Sequence, residues 1–134
     1  MILYLGTIDK QINLKLYDAA GGFIDQFSRE TEVNHSVELL LEIEKFLKRN
    51  KSDKTKLTGL VVAKGPGFYT GLRVGITAAN AMAFALNIPI VGAGTSEDDL
   101  KRAILKLLSE KTSGFANSVV PFYDRPPNIT QRKH

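Results

Sequence analysis

Ile12, Leu14 and Leu16 alternate with polar neighbours along residues 12–18. A period of two predicts a half-buried strand. The short apolar run before it, "ILYLGTI" at 2–8, reads as a first strand, with "DKQ" as a tight connection. "AAGG" at 19–22 is a second turn, and "FIDQFSRE" after it is a third, more exposed strand. The period then changes. In residues 35–50, Leu39, Leu40, Ile43, Phe46 and Leu47 fall on one helical stripe. Asn34 and Ser36 offer capping oxygens at its start, and Glu44 and Lys48 have the spacing of a favourable pair. Val37 and Leu41 lie off the stripe, so this helix is apolar on more than one side.

Beyond the polar loop "KSDKTK", the run Leu60 to Ala63 has the continuous apolar character of a buried strand. "GPGFYTGLRVG" follows at 65–75 and leads into a helix predicted over 70–86. "IPIVGAG" at 88–94 is another buried strand. The next helix has Thr95 or Ser96 as cap and Glu97, Asp98 and Asp99 in its first turn. Leu100, Ile104, Leu107 and Leu108 form its stripe. After Gly114 the pattern fades into a Pro-rich, basic end. The predicted order is β-β-β-α-β-α-β-α: an α/β mixed sheet with helices on its faces. That is the order of a ribonuclease H-like or actin-like ATPase domain. Residues 1–114 read as one such domain and 115–134 as a tail.

Composition narrows this only a little. The 134 residues suit one domain, and with no cysteine there is no disulfide or thiolate metal site. There is no pattern of a secretory leader and no long apolar run, so a cytoplasmic, membrane-free location is expected. The net charge of +4 permits contact with nucleic acid without demanding it. His35 and His134 are too few and too distant in sequence to suggest a metal site.

The glycine loop is not a P-loop, because Leu72 and Arg73 follow Gly71 where Lys-Ser/Thr is needed. The dinucleotide fingerprint also fails, since the third glycine falls one residue late. A strand, a glycine loop and a helix start can bind an anion. The same pattern also serves as a tight turn with Thr70 as cap. The helix says more. Leu72, Ile76, Ala79, Ala83 and Leu86 share one face, while Val74, Ala78, Ala81 and Ala85 fall roughly opposite. One side must cover the sheet; the other needs a second partner, either within the chain or on another subunit, with a protein interface the favoured reading.

At these residues the chain resembles the TsaB (YeaZ) family. The stretch "AKGPGFYTGLRVGITAANAMAFALNIPIVGAGT" resembles that family's glycine signature and Ala-rich helix, with Phe68 and Tyr69 where Ser-Phe is usual. "NHSVELLLEIEKFL" is similar to its first helix, and "PFYDRPPNIT" to its closing motif. The resemblance implies an actin-like fold. It also implies a part in making N6-threonylcarbamoyladenosine at position 37 of tRNAs reading ANN codons. In that system TsaB is a partner subunit that dimerises with TsaD, which transfers the threonylcarbamoyl group, and TsaE joins the pair. ATP and metal are then expected on the partner subunits, with no cofactor on this chain and tRNA reached through the complex.

The family's dimer contact uses its first two helices. The candidate interface on this chain is therefore Val37, Leu41, Gly67, Thr70, Gly71, Arg73, Val74, Ala78, Ala81 and Ala85. Arg73 has two readings, a pair with a partner carboxylate or a cap on its own surface. Two departures bear on catalysis. Gly6 stands where relatives carry a first-strand Asp, and most of a second domain is missing between the "TSEDDL" helix and the closing motif. Both point to a non-catalytic subunit. The alternatives are a homodimeric regulatory protein of the same fold or a small metal-dependent hydrolase.

Overall fold

The computed structural model describes residues 1–8, 10–30, 36–65, 70–109, 114–115 and 118–120, and only the backbone of Ser36, Thr70 and Gly71. The sequence readings at Asp9, Asn34, His35, Gly67, Phe68, Tyr69 and the closing motif fall outside those residues. The elements are β1 (Ile2–Gly6), β2 (Gln11–Tyr17), β3 (Phe23–Glu30), α1 (Ser36–Arg49), a 3-10 turn (Lys54–Lys56), β4 (Gly59–Ala63), α2 (Thr70–Leu86), β5 (Ile90–Ala93) and α3 (Glu97–Ser109). Their order follows the one the periodicities predict.

The strands form one sheet in the order β3-β2-β1-β4-β5. β1, β2 and β3 pair antiparallel, while β4 joins β1 and β5 joins β4 in parallel. Parallel neighbours need crossover connections, and helices supply them. α1 follows β3 and α2 follows β4, and both of those strands point the same way as β1. The two helices therefore run back alongside each other.

Alternation along β1 divides the core. Leu3 and Leu5 face one side with Leu14, Leu60, Val62 and the apolar stripes of α1 and α2. Ile2 and Tyr4 face the other with Tyr17, Val61, Val91 and the stripe of α3. β1 and β4 are buried on both faces, which explains why their sequences carry no polar alternation. On the α3 side one helix covers only part of the sheet, and the β2–β3 ribbon extends beyond it. The α3 stripe differs from the expected one by a single position: Ala103 is buried and Leu108 is 40% exposed.

Local chemistry fixes the ends. The Ser96 Oγ accepts from the Asp99 amide at 3.0 Å, and the Asp99 carboxylate accepts from the Ser96 amide at 3.4 Å. This reciprocal pair caps α3. Glu44 bonds Lys54 at 3.7 Å. α1 is stapled to β3 by Arg49, which reaches the Asp25 carboxylate at 2.8 Å, and by the buried Glu42, which meets Arg29 at 2.8 Å.

Candidate functional site: the outer face of the helix pair

α2 sits tightly on the end of β1. A Cβ at Gly75 would lie 2.1 Å from the Thr7 Oγ1, so this glycine is where helix and strand approach. Gly65 takes φ +114°, a left-handed conformation that suits glycine at the exit from β4. These two glycines thus have structural work.

The face away from the sheet carries the unusual feature. Val37 is 67% exposed and Leu41 53%, one turn apart on α1. On α2, Arg73, Thr77, Ala81, Phe84 and Ala85 are exposed, Val74 is half-buried, and Phe84 is 72% exposed. Ala78 departs from the expected set. It is 3% exposed and belongs to the core that α1 and α2 share. Its small side chain lets the two helices of one chain pack together, and it offers nothing to a second chain. Phe84 was not among the expected positions although it is the most exposed apolar side chain of the helix. Its sequence signal was a large aromatic between Ala81 and Ala85, off the Leu72 stripe.

The rim of this face is basic on α1. Lys45 and Lys48 are exposed and form no ion pair among the described residues. Glu44 lies beside them with its charge met by Lys54.

The opposite side of the sheet has a trough of about 520 Å³ between α3 and the β2–β3 ribbon. Tyr17 and Phe23 form one wall and Ile104, Leu105 and Leu108 the other. Lys15 spans it, bonding Glu97 at 2.9 Å and lying 5.9 Å from the centre of the Tyr4 ring. Burial pushes the Tyr4 hydroxyl up to about 12, with Tyr17 and Glu97 adding to the shift. The Lys15 hydrogen bond and charge hold Glu97 below its ordinary range. Asp25 is lowered by the Asn50 and Arg49 side chains, and Asp99 by those of Arg102 and Ser96.

These shifts give a stability profile with two flanks. The lowered carboxylates stabilise the fold above their ordinary values of 3.8 to 4.5, and that contribution is lost as pH falls through their folded values. Tyr4 keeps its proton when folded, so stability declines as pH rises from its ordinary value of 10.0 towards about 12. The melting temperature should fall as pH drops through the carboxylate range and fall again as pH rises above 10.0. An unchanged value at pH 11 would contradict the burial of Tyr4. Among the described residues no group of three or more His, Asp or Glu converges as a metal site, and no helix is long and apolar enough to cross a membrane.

Known proteins share this arrangement. The sequence model of the family described as "TsaD: tRNA N6-adenosine threonylcarbamoyltransferase" matches residues 10–104. The "tRNA threonylcarbamoyladenosine biosynthesis protein TsaB" of Bacillus subtilis is 41% identical over 64 residues, covering 48% of this chain and 28% of that protein. The "tRNA N6-adenosine threonylcarbamoyltransferase" of Anoxybacillus flavithermus is 33% identical over 72 residues, covering 54% of this chain and 20% of that protein. The structure of YeaZ from Pseudomonas aeruginosa superposes with a TM-score of 0.61 at 22% identity, over 69% of this chain and 44% of YeaZ. That likeness and the family match together indicate an actin-like, ribonuclease H-like fold. The chain spans less than half the length of each of these proteins. With the family model matched over most of the chain, the chain belongs to the family described as TsaD: tRNA N6-adenosine threonylcarbamoyltransferase, and TsaB and YeaZ are among the proteins it resembles.

Proposed function

We propose that this chain is a non-catalytic subunit of the assembly that makes N6-threonylcarbamoyladenosine in tRNA, and that it acts by docking on TsaD through the outer faces of α1 and α2. The observation that carries the reading is the exposure of Val37, Leu41 and Phe84 on that face. Large apolar side chains left exposed on neighbouring helices mark a candidate contact site. Ala81 and Ala85 leave room between these larger side chains for a partner helix to lie close. Gly67, Thr70, Gly71, Arg73 and Val74 would shape the N-terminal end of the contact.

The non-catalytic part rests on β1. Its end carries Gly6 and then Thr7, where a carboxylate would be needed to position metal and phosphate. ATP and metal chemistry then falls to TsaD and TsaE, and tRNA is met through the complex. A second reading, self-association through the same face, is favoured by the same exposed residues. In that case the face would be covered by another copy of the chain.

Light scattering coupled to size exclusion distinguishes them. The protein mixed with TsaD from the same organism should elute as a one-to-one complex. A monomer that never associates with TsaD overturns the proposal, and a homodimer that excludes TsaD supports the second reading.

A further inference from the structure

After α3, residues 114–115 and 118–120 lie back on the domain. Gly114 and Phe115 lie at the C-terminal end of α2, where the Asn87 side chain accepts from the Phe115 amide at 3.2 Å. Residues 118–120 lie further back along the same helix. There the Asn80 side chain behaves as a peptide group. Its Nδ2 donates to the Val119 carbonyl at 2.9 Å, and its Oδ1 accepts from the Val119 amide at 2.8 Å. Both groups are partly buried, so the pair is shielded from competing water. Gly92 on β5 makes room for it, since a Cβ there would stand 2.9 Å from the Val119 Cγ1 and 2.7 Å from the Lys64 Cδ. Residues 114–115 and 118–120 thus form a strap held along the flank of α2 opposite to α1.

The strap alters the outer face. Phe115 meets Phe84 edge to face, with ring centres 5.6 Å apart and an interplanar angle of 87°. Phe84 remains 72% exposed in spite of that contact, and Val120 at the far end is 71% exposed. A large aromatic supported from one side and open on the other is the form of an interface anchor. Its rotamer freedom is already reduced before any partner arrives.

We propose that the strap is a third element of the docking face, and that the Phe84–Phe115 pair is its aromatic anchor, received by an apolar pocket on the partner. This rests on the docking reading given above. The occupant is a different chain of the same family, with an apolar contact face and an acidic rim. Lys45 and Lys48 carry that inference. They lie in the last turns of α1, and Phe84 lies in the last turns of the adjacent, parallel α2. A second copy would bring similar cations to the same region, which like-charge repulsion disfavours.

The test uses the full chain and TsaD from the same organism in titration calorimetry. Phe84→Ala and Phe115→Ala should each weaken binding about tenfold or more, and the double variant should lose less than the sum of the two, as expected for a contacting pair. Asn80→Leu, which removes the clamp, should weaken binding to the level of Phe115→Ala. Leu41→Asp serves as the control for the helix face. If Leu41→Asp abolishes binding and the phenylalanine variants bind like wild type, the strap inference is overturned and the docking reading stands. If Leu41→Asp also binds normally, or wild type does not bind TsaD, the docking reading fails and the inference with it. If the phenylalanine variants instead break a homodimer, the occupant is a second copy and the assignment to a different chain is wrong.

Discussion

Ala78→Asp should unfold the domain, while Ala81→Asp, one helical turn away on α2, should leave it folded. Ala78 is 3% exposed within the core that includes Leu39, Ile43 and Leu47 of α1. An aspartate there would have to bury a carboxylate among apolar side chains or force the two helices apart. The first costs several kcal/mol unless the group takes up a proton, and the second opens the core. A loss of about 4 kcal/mol or more is expected, a large part of the 5–15 kcal/mol that holds a typical domain together. Ala81 is exposed, so a charge there stays in water. Its expected effect on stability is within about 0.5 kcal/mol. Chemical denaturation monitored by circular dichroism measures both. A folded Ala78→Asp protein with the wild-type midpoint would show that Ala78 is not in the helix seam.

The contrast between these two alanines shows where a sequence stops being readable. Val74, Ala78, Ala81 and Ala85 share a side of the helical wheel, and small residues there do announce a close neighbour. They do not say whether that neighbour is a helix of the same chain or of another. The answer depends on where α1 settles, which follows from the sheet order β3-β2-β1-β4-β5. α1 takes the flank at Ala78 and leaves Ala81 outside. The elements themselves are legible because each helix carries a strong apolar stripe and β2 a clean alternation. The α3 stripe takes in Ala103 instead of Leu108 because the helix is covered on one side only. The sheet it packs on ends in the open β2–β3 ribbon, so its last leucine faces the trough.

Other features had no local signal. Asn80 is an ordinary polar residue in an Ala-rich helix, and its role depends on Val119, 39 positions later. Gly92 reads as a weak spot in a short strand until the strap is seen against it. Gly75 lies in the glycine-rich stretch, but its need comes from Thr7 on a different element. Long-range approach is set by tertiary packing, and a one-dimensional pattern carries it only as an unexplained small residue.

The double variant Leu41→Asp/Ala81→Asp should abolish association with TsaD without lowering the melting temperature by more than a few degrees. Leu41 is 53% exposed and Ala81 is exposed, so neither charge enters the core. At a docked interface both would be stripped of water opposite an apolar surface. A single buried, unpaired charge at the centre of a contact weakens binding by about 2–4 kcal/mol, or roughly thirty- to a thousandfold. Two such charges on neighbouring helices should therefore remove binding from the measurable range. The acidic rim expected on the partner adds repulsion, because the new carboxylates would sit among like charges. Raising the salt concentration should recover only the repulsive part, since desolvation is indifferent to screening. Binding that returns fully in high salt would mean that the face recognises its partner by charge alone. Unchanged binding in low salt would place the contact elsewhere on the domain. The wild-type melting temperature, measured beside each variant, separates a lost surface from a lost fold.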